Sequence, residues 1–157
     1  MEIPKNIYEA VTALKILLEK ADQLNEFLEL EENKALANSH HSLGRILRNE
    51  WGLWSDSDLA KSFNEIGVYH ADDMSSIIIR SLHRILTKKE VKFKEQVRIF
   101  QKYWKNMKKR EEELAKEEEE LAKEEEKLAK VEEELAKGEE ELAKEEEELA
   151  KEEDLST

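Results

Sequence analysis

Residues 70–86 read His-Ala-Asp-Asp-Met-Ser-Ser-Ile-Ile-Ile-Arg-Ser-Leu-His-Arg-Ile-Leu. Whether this stretch is strand or helix decides the fold. Three consecutive isoleucines argue for a strand. Met74, Ile77, Ile78, Leu82 and Ile85, however, keep helical spacing for more than ten residues, longer than an ordinary strand. The stretch therefore reads as the most apolar helix of the chain. Tyr69 to Asp73 form the loop into it, and carboxylates there suit the positive end of the helix dipole.

Working outward, the preceding segments also carry helical punctuation. Ser55-Asp56-Ser57-Asp58 offers several N-caps for a short helix holding Leu59, Phe63 and Ile66, with Gly67 placed as its C′ residue. Before it, Ser39 or Ser42 can open a helix in which Leu43, Ile46, Leu47, Trp51 and Trp54 share one buried face, with Gly52 marking the end. Gly44 lies inside that pattern, where glycine costs ~1 kcal/mol against alanine but permits close approach. Pro4-Lys5-Asn6 reads as a helix entry capped by Asn6, followed by an Ile7, Val11, Leu14, Leu18 stripe to about Lys20. Leu24, Phe27, Leu28 and Leu30 indicate a second helix or helical turn, ending near Asn38.

Downstream, Phe93, Val97, Phe100, Trp104 and Met107 form an apolar stripe. Lys94, Arg98, Lys102, Lys105 and Lys109 make a basic stripe beside it, so that one face docks and the other presents charge. Lys88 to Arg110 hold ten basic and two acidic residues, whereas residues 111–154 hold 23 acidic and 7 basic ones. The net charge of −13 therefore belongs to the C-terminal segment, since residues 1–110 carry +3.

From Glu111 a seven-residue unit recurs, with leucine at 114, 121, 128, 135, 142 and 149, each followed by Ala-Lys. A coiled coil needs apolar residues at both a and d. The partner positions here are Glu117, Glu124, Val131, Gly138 and Glu145, so a dimer through this seam stands behind a monomer. The repeat does supply Glu-before-Lys pairs four residues apart: Glu112–Lys116, Glu119–Lys123, Glu126–Lys130, Glu133–Lys137, Glu140–Lys144 and Glu147–Lys151. Each adds ~0.2–0.5 kcal/mol to a helix. The expectation is a solitary solvent-exposed helix over 108–154, about 65 Å long at ~1.5 Å per residue and weakest at Gly138. Residues 155–157 form a disordered end. The repeat is either an acidic arm or spacer, or a tolerated product of repeat expansion.

Chemistry is thinly signalled. With no cysteine, the chain has no disulfide framework, thiol nucleophile or thiolate metal site. No apolar run approaches the ~20 residues of a membrane span. Met1 to Lys5 lacks a basic stretch followed by an apolar one, so the expected location is cytoplasmic. His70, Asp72 and Asp73 could ligate a metal with His40, His41 or His83, but their spacing matches no standard signature. The simpler reading has Asp72 or Asp73 capping a helix, His70 bonded locally and His83 partly buried. Ser75, His70 and Asp73 could compose a triad, yet no Gly-x-Ser-x-Gly elbow or Gly-rich loop accompanies them. No catalytic residue, metal or cofactor is assigned.

Arg48-Asn49-x-Trp51-Gly52-Leu53-Trp54, Leu59-Ala60-Lys61-x-Phe63-Asn64, Gly67-Val68-Tyr69-His70-x-Asp72-Asp73-Met74-Ser75 and Ser81-x-His83-Arg84 together resemble a small bacterial domain of unknown function, of the kind found in Bacteroidetes-type genomes. The resemblance covers about residues 3 to 104 and excludes the repeat. Ala71 stands where that family has Pro, a residue suited to the first helical position. The resemblance implies a domain but no chemistry.

The expected architecture is all-α: five or six short helices over 3–107, continuing into the charged helix. The expected function is a non-catalytic protein-interaction module, with Trp54, Tyr69, His70, Asp73 and Arg84 as the recognition surface. For Trp51, core packing is the better reading. Nucleic-acid binding through the stripe Lys94 to Lys109 is the alternative. A small hydrolase or metal enzyme around His70, Asp72 and Asp73 comes third.

Overall fold

The computed structural model describes residues 2–156. Among the described residues there are seven helices and no strand. They are α1 (Ile7–Lys20), α2 (Leu24–Glu29), α3 (Glu32–His40), α4 (Leu43–Glu50), α5 (Asp58–Glu65), α6 (Ala71–Leu86) and α7 (Phe93–Leu155). The chain divides into two compact units between Asn106 and Met107.

In the first unit the triple isoleucine is helical, and α6 is the hub. It packs against α1, α2, α3, α4 and α5, so side chains on several of its faces are covered. Ile77, Ile78 and Ile79 are all buried, with Met74 and Leu82. An isoleucine in a helix gives up less than ~0.7 kcal/mol of propensity. Burying its side chain gains ~1.5–3 kcal/mol, so packing wins. Ile85 departs from the expected stripe and is about half exposed.

Local signals set several boundaries. Asn6 caps α1 by accepting from the Glu9 amide at 3.0 Å, and Ser57 caps α5 by accepting from Ala60. Gly67 (φ +83°) closes α5: its amide reaches the Asn64 carbonyl and the Val68 amide reaches that of Phe63. The same left-handed closure ends α1 at Asp22 and α6 at Lys88, where no glycine announces it.

Elsewhere tertiary contacts overrule the expected pattern. The single helix expected from Leu24 to Asn38 is two, because Leu30 and Glu31 are extended. The break frees the Leu30 carbonyl to accept from His83 Nε2 at 3.0 Å. It also places Glu32 at the start of α3, facing Arg80 and Arg84 of α6. Arg84 grips Glu32 through Nε (2.9 Å) and Nη2 (2.8 Å), and Arg80 adds a further contact. Ser42 occupies the N-cap position of α4 without a side-chain cap, and Ser39 is buried within α3.

The face proposed for α4 holds for Leu47 and Trp51 and fails for Ile46 and Trp54, which are exposed. The helix ends at Glu50 and the chain turns at Gly52 (φ +64°), so helical spacing does not reach residue 54. Leu53 is buried instead. Arg48 is buried as well, donating to Ser75 Oγ and the His40 carbonyl, both at 3.1 Å, and pairing with Asp72 at 3.2 Å. Gly44 makes this arrangement fit, since a β-carbon there would stand 2.8 Å from the Arg48 guanidinium.

The first turns of α7 belong to the same unit. Val97 and Gln96 are buried, and Phe93 and Phe100 pack on the core. Gln96 donates to Ser81 Oγ and to the Val91 carbonyl.

In the second unit the described backbone is helical to Leu155, with Ser156 in a closing turn. Where a disordered end was expected at 155–157, Leu155 is helical and Ser156 in a turn, and Thr157 lies outside the described residues. The repeat leucines are 52–63% exposed. Five of the six expected pairs form, from Glu119–Lys123 to Glu147–Lys151; Glu112–Lys116 does not.

Candidate functional site

The loop between α5 and α6 meets the third and fourth turns of α7 at a cavity of about 300 Å³. Its position follows from local geometry. Gly67 turns the chain out of α5, and its lack of a side chain admits Gln101, whose Nε2 would otherwise lie 2.4 Å from a β-carbon. Gln101 Nε2 donates to the Ile66 carbonyl at 3.1 Å, fixing α7 to the end of α5. Val68 is buried and Tyr69 is 68% exposed. His70, the N-cap residue of α6, makes no capping bond with its side chain.

That ring is stacked on the Trp104 indole, with centroids 3.5 Å apart and planes at 14°. Trp104 Nε1 donates to Asp73 Oδ2 at 2.7 Å, and Tyr103 meets the indole edge-on. Trp104 remains 38% exposed, whereas Asp73 is only 9% exposed. Burial pushes the Asp73 carboxyl above its ordinary range; the Trp104 N–H and the charge of His70 oppose that rise, and Asp72 adds to it. Arg48 pairs with Asp72, so the favourable charge acting on Asp73 is that of His70. One oxygen of Asp73 thus has a neutral donor, and the other has no protein partner.

The structure therefore brings together Tyr69, His70 and Asp73 and adds Phe100, Gln101 and Trp104. Trp54, 63% exposed, is not among the lining residues. Arg84, expected at the same surface, is engaged internally by Glu32 and by the Val91 carbonyl, which accepts from Nη1 at 2.8 Å. These bonds hold Glu32 down to about 2, Arg84 being the largest cause, and hold Arg84 above its ordinary value. Neither Asp72 nor Asp73 caps α6, since both lie inside its first turn.

The hydrolase arrangement does not assemble. Ser75 is buried, donates to the Asp72 carbonyl and accepts from Arg48, with no bond to His70. His83 is buried, meets Phe27 edge-on and is engaged by the Leu30 carbonyl. Among the described residues no group of three His, Asp or Glu side chains is placed to hold a metal. Lys94, Arg98, Lys102, Lys105 and Lys109 are exposed and none pairs with an acid.

A larger cavity of about 400 Å³ lies between α1, α6 and the Val91–Phe93 segment. Its walls are almost wholly hydrocarbon, including Ile7, Val11, Leu82, Ile85 and Phe93, and its lysine, Lys15, pairs with Glu19. It lacks the convergent polar groups that confer specificity. The Trp104 cavity has them.

Trp104 and Gln101 escaped the sequence reading because an apolar stripe does not distinguish a core residue from the lip of a pocket. The available signal was the Trp104 indole N–H, which needs a partner when partly buried.

A family model described as Domain of unknown function (DUF6794) matches residues 3–86, and the chain belongs to that family. The match ends with the last residue of α6, short of residue 104, to which the resemblance extended. The α7 side of the cavity thus lies beyond the matched region. No curated protein and no solved structure matches the chain.

Proposed function

Starting from a family without an assigned activity, we propose that the bundle is a non-catalytic protein-interaction module and that the repeat is its acidic arm or spacer. The observation that carries this reading is the Tyr69–His70–Trp104 surface. Three aromatic rings remain accessible around a pocket that offers a carboxylate and an amide but no nucleophile, base and oxyanion donor in line. Exposed aromatic anchors beside a few polar groups are what recognition of another chain requires.

A photo-crosslinking residue in place of Tyr69 tests it in cells. A discrete adduct, absent when the same group replaces Asp58 and lost on Trp104→Ala, supports the reading. Adducts that do not depend on position overturn it.

The unpaired cations Lys94, Arg98, Lys102 and Lys105 favour a second reading, nucleic-acid binding. Four phosphate contacts would weaken binding to duplex DNA about a hundredfold between 50 and 200 mM salt. The 23 acidic against 7 basic residues of the repeat in the same chain oppose it, so the protein partner stands first.

A further inference from the structure

We infer that the Trp104 cavity accepts a cationic side chain, the ammonium of lysine or the guanidinium of arginine, presented by the partner. This rests on the interaction reading above and specifies its chemistry.

The argument starts from Asp73. Its carboxylate is buried, holds one neutral hydrogen-bond donor and keeps its second oxygen without a protein partner. Burying an ionised group without a compensating charge is costly. If the residue only had to hold the Trp104 N–H, an asparagine oxygen would do so without that cost. The first turn of α6 and His70 offset part of that cost, and because Asp73 lines the cavity its free oxygen is placed to accept from a cation.

The walls suit one. Trp104, Tyr69 and Phe100 line the cavity; His70 covers one face of the Trp104 indole, and uncovered aromatic faces attract cations through their quadrupole. The Gln101 side chain spends its Nε2 on Ile66, which leaves its carbonyl oxygen as an acceptor at the rim. His70, stacked on Trp104, forms one wall of the cavity, and the chain's other cations do not fill the space. Arg48 is held by Ser75, His40 and Asp72. Lys102 and Lys105, two residues before and one after Trp104, point about 200° and 100° away around the helix and do not line the cavity. The cavity of about 300 Å³ has room for the end of a lysine or arginine side chain.

The test uses the full chain, labelled with nitrogen-15 and titrated with short glycine peptides carrying a single lysine, arginine or ε-acetyl-lysine. The readout is the Trp104 indole N–H resonance, identified by its loss in Trp104→Phe. Lysine or arginine peptide should shift it saturably, and the acetylated peptide should bind at least about tenfold more weakly. Asp73→Asn should lose at least about tenfold in affinity without lowering the unfolding temperature. Tyr69→Ala, at an exposed position, should weaken binding severalfold. Equal binding of the acetylated peptide overturns the cation inference and leaves an apolar interaction pocket standing. No shift with any peptide up to roughly 20 mM overturns both.

Discussion

Glu32 with Arg84 and Glu126 with Lys130 are the same chemistry at nearly the same distance, 2.8 and 2.7 Å. The first joins α3 to α6 across 52 residues, its side chains only 11% and 19% exposed. The second lies within one helix in open solvent and links neighbours four apart. In the bundle the buried arginines pair over long range, while Lys15–Glu19 and Lys92–Glu95 are exposed and local. In the repeat many are paired, and each fixes only one turn. Burial, and not the pair itself, sets the worth of a salt bridge.

The strongest way to sharpen this contrast is to truncate an apolar side chain in each region. Ile78→Ala should cost about 3–4 kcal/mol in denaturant unfolding. Leu128→Ala, at an exposed site, should change stability by less than about 0.5 kcal/mol. A large effect at Leu128 would mean that the repeat is packed against something in solution, such as a second copy.

Breaking the buried pair comes next. Glu32→Gln should cost about 2–3 kcal/mol at pH 7, because it leaves two arginines without their anion. The sign with pH follows from the lowered Glu32 value. A depressed carboxyl stabilises the fold above its unfolded value, 4.5, and that contribution is lost as pH falls towards about 2. Wild-type and variant unfolding curves should therefore converge near the acid end of that window. Parallel curves down to pH 2 would show that the pair is not the cause.

Asp73 has the opposite sign, since its folded-state value is raised. Its penalty is absent below the ordinary carboxyl range and grows as pH rises through it. Asp73→Asn should leave stability at pH 7 unchanged or raise it by up to about 1 kcal/mol. Any gain should disappear at low pH. Thermal melts at pH 3 and pH 7 would check both statements.

Glycine sharpens the comparison further, because one residue type should act with opposite sign in the two regions. Lys88 holds φ 57° at the end of α6, so Lys88→Gly should stabilise the bundle by about 0.5–1 kcal/mol. Gly138 lies within α7 with open space around it, so Gly138→Ala should favour the repeat helix by about 1 kcal/mol. Melting of the bundle and helical circular dichroism respectively read the two changes.

The smallest effect is expected from salt. Each exposed pair is worth ~0.2–0.5 kcal/mol, and the acid excess repels itself. One molar salt should therefore raise helicity in the repeat slightly rather than lower it. A marked loss of ellipticity at 222 nm would show that pairing outweighs repulsion.

Much of this architecture was legible without coordinates. Helical spacing from Met74 to Leu82, the cap at Asn6, a cap somewhere in Ser55 to Asp58, the stop at Gly67 and the Glu-before-Lys ladder are local signals, carried by residues within about two turns of one another. The chain thus determined by itself that it is all-helical, that its apolar helix runs on from Met74, and that the repeat is helical with its charges exposed, whereas the loop expected over 71–73 is the first turn of α6. The break at Leu30–Glu31, the closures at Asp22 and Lys88, the burial of Arg48 and the meeting of Trp104 with Asp73 across 31 residues were decided only by tertiary structure. Their cause lies in partners distant along the chain. A carbonyl leaves its helix because His83 is there to donate, and a tryptophan leaves the apolar stripe because a buried carboxylate accepts its N–H.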